Sequence, residues 1–205
     1  MESLPPIELA AVASAIAYVV LAARPSAWCW PVGFVSSCLW AYRVSVAYDL
    51  YFDAALNAFY AVMSAVGLWR WTRRADGRGA APPITRMRAR EHVAWLGLGA
   101  GATAACAVLA EAYTEAAMPL VDAATTVYAV IATVLLIERR LENWLYFLAV
   151  DAVSVWLYLE RGSPLFAGLF VVYCGLAAWG YASWRRQSAG GAAANPPPAA
   201  PLDSV

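Results

Sequence analysis

The feature that most constrains this chain is a series of seven long apolar runs, at about residues 7–23, 27–47, 52–71, 92–111, 120–137, 143–159 and 164–184. A helix needs about 20 mostly apolar residues to cross the hydrocarbon layer of a bilayer. None of the runs shows the sustained apolar/polar alternation of a barrel strand. In lipid the backbone must satisfy its own hydrogen bonds, which leaves the helix as the solution. Composition agrees, with 62% hydrophobic and only 14% charged residues, against about 25% charged in soluble domains. The 14 basic and 14 acidic residues cancel, which argues against a nucleic-acid binder working through a basic field. The predicted class is an all-α integral membrane protein with seven transmembrane helices.

Orientation follows from the basic residues, all of which are arginine. With the N-terminus outside and the C-terminus cytoplasmic, twelve arginines fall on the cytoplasmic side and only Arg43 and Arg161 outside, as the positive-inside rule requires. Glu2 and Glu8 ahead of the first run, and Arg24 after it, reverse the charge order of a cleavable signal peptide. The first helix is thus expected to be retained. Tryptophans near run ends, Trp28, Trp30, Trp69, Trp71, Trp144 and Trp184, read as an interfacial belt. A seven-helix transmembrane domain is expected over 1–186. Within it, 72–90 is a basic cytoplasmic linker, and the Gly-, Ala- and Pro-rich 187–205 is expected to be a disordered tail. The four cysteines lack any CxxC or Cys/His metal spacing and are expected as small buried apolar side chains.

The chain also repeats. Tyr60, Gly67 and Trp71 recur 113 residues later as Tyr173, Gly180 and Trp184, and Trp30 recurs 114 residues later as Trp144. This divides the helices into repeat one (7–71), a linking helix (92–111) and repeat two (120–184). A 3+1+3 order places both copies in the same orientation, as parallel repeats with a site at their interface.

Polar groups inside a bilayer are costly, so a row of them marks a cavity or a helix contact. Asn57, Tyr60 and Ser64 lie on one helix face with Asp53, and Asp122, Thr126 and Thr133 on another. Trp144, Phe147, Asp151 and Tyr158 follow in the sixth run, where Asp151 is the deepest carboxylate of the chain. Aromatic, amide, hydroxyl and carboxylate groups together suit a small polar molecule with a flat ring. Asp53 and Asp122 stand near the outer ends of their helices, where the helix dipole favours acids. Pro31 and Gly33 are read as shaping the start of the second helix. Because only one carboxylate is deep, an intramembrane enzyme using paired acids is disfavoured, and no catalytic residue, metal site or cofactor is assigned. No G-x-x-x-x-G-K-[ST] phosphate loop occurs.

Trp28-Cys29-Trp30-Pro31-Val32-Gly33 and the stretch Leu50-Tyr51-Phe52-Asp53-Ala54-Ala55-Leu56-Asn57 resemble segments of the PnuC family of nicotinamide riboside (nicotinamide mononucleotide) transporters. Leu141-Glu142-Asn143-Trp144, Val150-Asp151 through Leu157-Tyr158, and Ala177-Ala178-Trp179-Gly180-Tyr181-Ala182-Ser183-Trp184-Arg185 resemble later segments in the same order. The resemblance implies a SWEET-like fold and a homotrimer in the bacterial inner (cytoplasmic) membrane. It also implies uptake of nicotinamide riboside by facilitated diffusion, with the substrate trapped by a cytoplasmic kinase. Thiamine or another nucleoside is the alternative cargo within the family. The resemblance places substrate contacts at Asn57, Tyr60, Thr126, Trp144, Phe147 and Asp151, and the polar face of the fifth run adds Thr133. The chain departs from many relatives at Asn57 and Thr133, where they carry glutamine, and at Phe147, where they carry tryptophan.

Overall fold

In the computed structural model, which describes residues 6–47, 51–73, 83–113 and 118–194, the described chain is helical apart from short connections. Seven helices follow in order: α1 (Pro6–Ala23), α2 (Cys29–Ala47), α3 (Tyr51–Arg73), α4 (Ala89–Tyr113), α5 (Pro119–Ile137), α6 (Asn143–Glu160) and α7 (Pro164–Ala194). The apolar runs foretell each of them. The main difference is at the end, where α7 continues through residues 187–194 instead of giving way to tail. Alanine is a strong helix former, and the Pro196-Pro197-Pro198 stop lies further on, outside the described residues.

α4, α5 and the first 26 residues of α7 are long and apolar enough by themselves to cross a membrane, and Leu9–Ala23 of α1 is a shorter apolar stretch. α2, α3 and α6 do not meet that measure, and they carry the serines, Asn57 and Asp151 that line the cavity described below. The chain is a multi-pass membrane protein.

Packing recurs in pairs. α1 lies on α2 and α2 on α3, and in the same way α5 lies on α6 and α6 on α7. The two groups meet through α1 on α7 and through α5 on α3. α4 packs on α5. There Tyr128 lies over Gly99 and donates its hydroxyl hydrogen to Leu96 O at 3.0 Å. His92 stacks on Tyr146, with Nδ1 3.2 Å from the phenol oxygen. The turns between α1 and α2 and between α5 and α6 begin and end at positions 114 residues apart. α2 has 19 residues and α6 has 18. That one-residue difference accounts for the change of spacing from 114 to 113.

Each group is closed by a tryptophan seated on a glycine. The Trp30 indole covers Gly67 so closely that a Cβ there would fall 2.5 Å from the ring. Trp144 covers Gly180 with the corresponding distance at 2.6 Å. Trp30 meets Trp71 edge-on at 5.2 Å, and Trp144 meets Trp184 edge-on at 5.7 Å. Trp71 and Trp184 then approach each other across the boundary at 6.3 Å. Both also donate hydrogen bonds across it, Trp71 to Ile137 O at 3.0 Å and Trp184 to Ala22 O at 2.9 Å. The belt expectation is therefore corrected. Trp28 and Trp69 are exposed, but Trp30, Trp71, Trp144 and Trp184 form the core, because glycine on the facing helix makes room for an indole. The cysteine expectation holds for Cys29 alone in full, since Cys38 and Cys106 lie on outward helix faces.

Arg139 completes this cluster. Its guanidinium carbon lies 4.5 Å from the Trp71 ring centre and 5.6 Å from that of Trp184. The arginine is buried, and burial draws its pKa down to about 10, which leaves it cationic at neutral pH. Ring faces attract a desolvated cation by about 2 kcal/mol. Arg139 has φ of 56°, a left-handed conformation that costs a non-glycine residue roughly 1 kcal/mol. It stands just past α5, where Arg139 N bonds Leu136 O and Arg140 N bonds Leu135 O, the double closure that usually uses glycine.

Ion pairs lie at both ends of the bundle. Arg70 pairs with Glu138, Arg140 with Glu91 at 3.1 Å, and Arg86 with Glu142 at 3.5 Å. At the opposite end of α5, Asp122 takes both its hydrogen bonds from Arg161, at 2.8 and 2.6 Å. The described residues of the linker expected over 72–90 are largely exposed, and its ends belong to α3 and α4. α3 runs through Arg73, residues 74–82 lie outside the described residues, and Thr85 pairs with the turn before α6. Thr85 N bonds Arg139 O at 3.0 Å, Leu141 N bonds Thr85 O at 2.8 Å, and Met87 N bonds the buried Glu142 at 2.9 Å.

Replacing Gly180 or Gly67 by alanine is expected to destabilise the protein by about 1–3 kcal/mol, because the rigid indole has to move. The check is the unfolding midpoint of detergent-purified protein. It should fall in both variants and stay level or rise for Gly101→Ala, whose surroundings are open and whose helix alanine favours.

Candidate substrate cavity

Beside the tryptophan cluster, and between the two groups of three helices, is a cavity of about 290 Å³. α1, α2, α3, α5, α6 and α7 all line it, and α4 does not. The recurrence seen in packing extends to its wall. Asn57, Tyr60 and Ser64 on α3 stand where Phe170, Tyr173 and Ala177 stand on α7. Gly33, Ser36 and Ser37 on α2 stand where Phe147, Val150 and Asp151 stand on α6. Val19 on α1 stands where Thr133 stands on α5.

Six of the seven residues expected from sequence come together here: Asn57, Tyr60, Thr133, Trp144, Phe147 and Asp151. Thr126 does not line the cavity. It lies two turns before Thr133 on the same α5 face, but α5 approaches the cavity only through its second half, at Ala129, Thr133 and Leu136. Thr133 gives its hydroxyl hydrogen to Ala129 O at 2.9 Å, so the oxygen lone pairs remain to accept. Asp151 is buried at 8% exposure with Ser154 buried one turn on. The Trp144 indole lies 6.3 Å from the Phe147 ring, and its N–H has no hydrogen-bond partner. Tyr158, on the same α6 face by spacing, instead stacks on Phe166 and Phe170 at 5.4 and 5.3 Å. The Asp53 side chain lies outside the described residues.

Sequence reasoning missed Tyr18, Ser36, Ser37, Trp40 and Phe170, and it gave Gly33 a purely local role. Tyr18 folds over Gly33, where a Cβ would fall 2.7 Å from its ring. Ser36 gives its hydroxyl hydrogen to Ala11 O at 3.2 Å, tying α2 to α1 beside the cavity. The repeat itself carried the signal for some of these. Projecting Asn57 and Asp151 through it would have picked out Phe170 and Ser37.

The arrangement offers flat aromatic faces, hydroxyls, an amide and one carboxylate around a partly open space. Nothing in it resembles a nucleophile held by a base. It can hold a small polar molecule.

A cysteine at position 57, in a background lacking the four native cysteines, should react with a small charged methanethiosulfonate reagent. A cysteine at 126 should react far more slowly. Equal rates would mean that α5 is rotated from the position described.

Comparison with known proteins places these observations in a family. Residues 5–186 match the family described as nicotinamide mononucleotide transporter. The nicotinamide riboside transporter PnuC of Neisseria mucosa is 28% identical over 165 residues, which cover 75% of this chain and 62% of that protein. The riboflavin/roseoflavin transporter RibM of Streptomyces davaonensis is 27% identical over 177 residues, covering 83% of this chain and 80% of that one. The crystal structure of the vitamin B3 transporter PnuC superimposes with a TM-score of 0.72 at 22% identity, over 90% of this chain and 82% of that one. The relatives are transporters, not enzymes. The chain belongs to the nicotinamide mononucleotide transporter family.

Proposed function

We propose that the protein carries nicotinamide riboside, or a closely similar vitamin nucleoside, through the cavity between its two three-helix units. The observation that carries this reading is the cavity wall itself. Trp144 and Phe147 offer ring faces, Asp151 a carboxylate, and Asn57, Tyr60 and the serines hydrogen-bonding groups, all on the wall of one cavity. A pyridinium ring on a ribose needs each of these. The volume lies just below the usual range for small-ligand sites, roughly 300–1,000 Å³, and suits a ligand of nucleoside size. Riboflavin is the second reading, supported by the similarity to RibM.

Transport in this reading is passive and proceeds by rocking of one unit, repeat one, against the other, repeat two, around the central site. The linking helix α4 travels with α5, on which it packs. Such rocking breaks the two tryptophan hydrogen bonds that cross the boundary, at Ile137 and Ala22. Phosphorylation by a cytoplasmic kinase then retains the substrate. In this reading the arginine-rich end, with Arg70, Arg139, Arg140 and Arg185, faces the cytoplasm from a bacterial inner membrane, which the positive-inside rule supports. The assembly in this reading is a homotrimer, each protomer with its own path.

Calorimetry on the detergent-purified protein should show binding of nicotinamide riboside in preference to riboflavin and thiamine. In proteoliposomes, uptake of the labelled nucleoside should equilibrate across the membrane and persist when ionophores remove the proton gradient. Phe147→Ala should weaken binding about tenfold or more, the worth of one stacking face. Preference for riboflavin would select the second reading. Uptake that requires the gradient would replace the passive mechanism.

A further inference from the structure

Equivalent positions on the two sides of the cavity differ in chemistry, and at four pairs they differ in the same direction. Ser64 on α3 faces the cavity where α7 presents Ala177, and Asn57 does so where α7 presents Phe170. Ser36 on α2 corresponds to Val150 on α6, and Gly33 to Phe147. At these four pairs the first unit supplies the small or hydrogen-bonding group and the second supplies the apolar one. Trp144 adds a further ring to the second unit's wall, while its counterpart Trp30 is buried away from the cavity. The Tyr60 and Tyr173 pair is neutral in this respect, the pairs Val19 with Thr133 and Ser37 with Asp151 put the more polar group on the second unit, and Tyr18 adds a ring to the first unit's wall. Trp40 is a ring on the first unit's side, without a counterpart on the wall.

From this we propose that the cavity is divided between the units. The α1–α3 side receives the hydroxylated half of the ligand, and the α5–α7 side receives its flat ring, with Ser64 and Phe170 as specificity-determining residues. The inference rests on the reading of the site as a nucleoside carrier and adds a direction to it. A sugar or polyol chain loses water hydrogen bonds on entry, and only a wall of hydroxyl and amide groups replaces them. A flat ring is held by aromatic faces. Asp151 stands on the ring side, opposite Ser37. A cationic ring is therefore met by a carboxylate, which contributes most where water is excluded. The division also explains how two vitamins as unlike as a pyridinium nucleoside and a flavin can suit one family. Each joins a flat ring to a polyhydroxylated chain.

The test pairs each ligand with its ring alone. Nicotinamide riboside is compared with 1-methylnicotinamide, and riboflavin with lumiflavin, by calorimetry and by competition on the purified protein. Ser64→Ala should weaken the sugar-bearing ligand about fivefold, the worth of one neutral hydrogen bond, and leave the ring-only ligand unchanged. Phe170→Leu should weaken both members of a pair by the same factor. Unfolding midpoints close to the unsubstituted protein exclude a folding defect, and Ser37→Ala supplies a second hydroxyl deletion. The inference is overturned if Ser64→Ala and Ser37→Ala weaken ring-only and sugar-bearing ligands alike, or if Phe170→Leu acts only when the sugar is present. It is also overturned if no ring-plus-polyol ligand binds, or if the ring alone fails to compete. Riboflavin binding in place of nicotinamide riboside, with the same pattern in the variants, overturns the substrate reading and leaves the divided cavity standing. Binding of nicotinamide riboside without the pattern does the reverse.

Discussion

The rest of the structure depends on an indole lying flat on a glycine. In a bilayer there is no hydrophobic gain from bringing helices together, since lipid tails are as apolar as leucine. Close van der Waals contact has to supply the association, and small residues permit it. Gly67 and Gly180 let Trp30 and Trp144 press against the backbone of α3 and α7. Those tryptophans in turn hold Trp71 and Trp184, whose N–H groups reach across to the other unit. Removing either glycine disturbs a unit and the contact between units together.

The cavity follows from the same packing. With the units joined at one end by four indoles, the space beside that cluster is left to smaller and polar side chains. α2, α3 and α6 fall short of the hydropathy that α4, α5 and α7 reach, and they bring Asn57, Asp151 and the serines to the wall, while α5 and α7 line it as well without losing apolar character.

Much of this was legible in the sequence. Seven helices could be placed within a few residues because run length and the breaks at Arg24-Pro25, Arg139-Arg140 and Gly162-Ser163-Pro164 are local signals. The face bearing Asn57, Tyr60 and Ser64 could be read from helical spacing, and all three line the cavity. What failed to show in one dimension was which helix lay opposite. Spacing puts Thr126 with Thr133, but only the position of α5 against its neighbours separates them. A tryptophan near a helix end reads as a belt residue unless a glycine on another helix faces it, and that pairing is a tertiary fact. Arg139 reads as one more cytoplasmic charge, and its burial depends on two rings that are distant in sequence.

The position of Arg139 has a consequence for how such a chain can be assembled. Trp71 and Trp184 are equivalent, so a side chain between them lies close to the axis that relates the two units. A group on such an axis coincides with its own mate. If both copies carried the arginine, two cations would contend for one space between the same two rings. The position that corresponds to Arg139 in the first unit is Pro25, which carries no charge. A symmetric pair of separate, identical half-length chains has no way to make that exchange. Joining the halves in one polypeptide lets one of them surrender the cation and the other keep it.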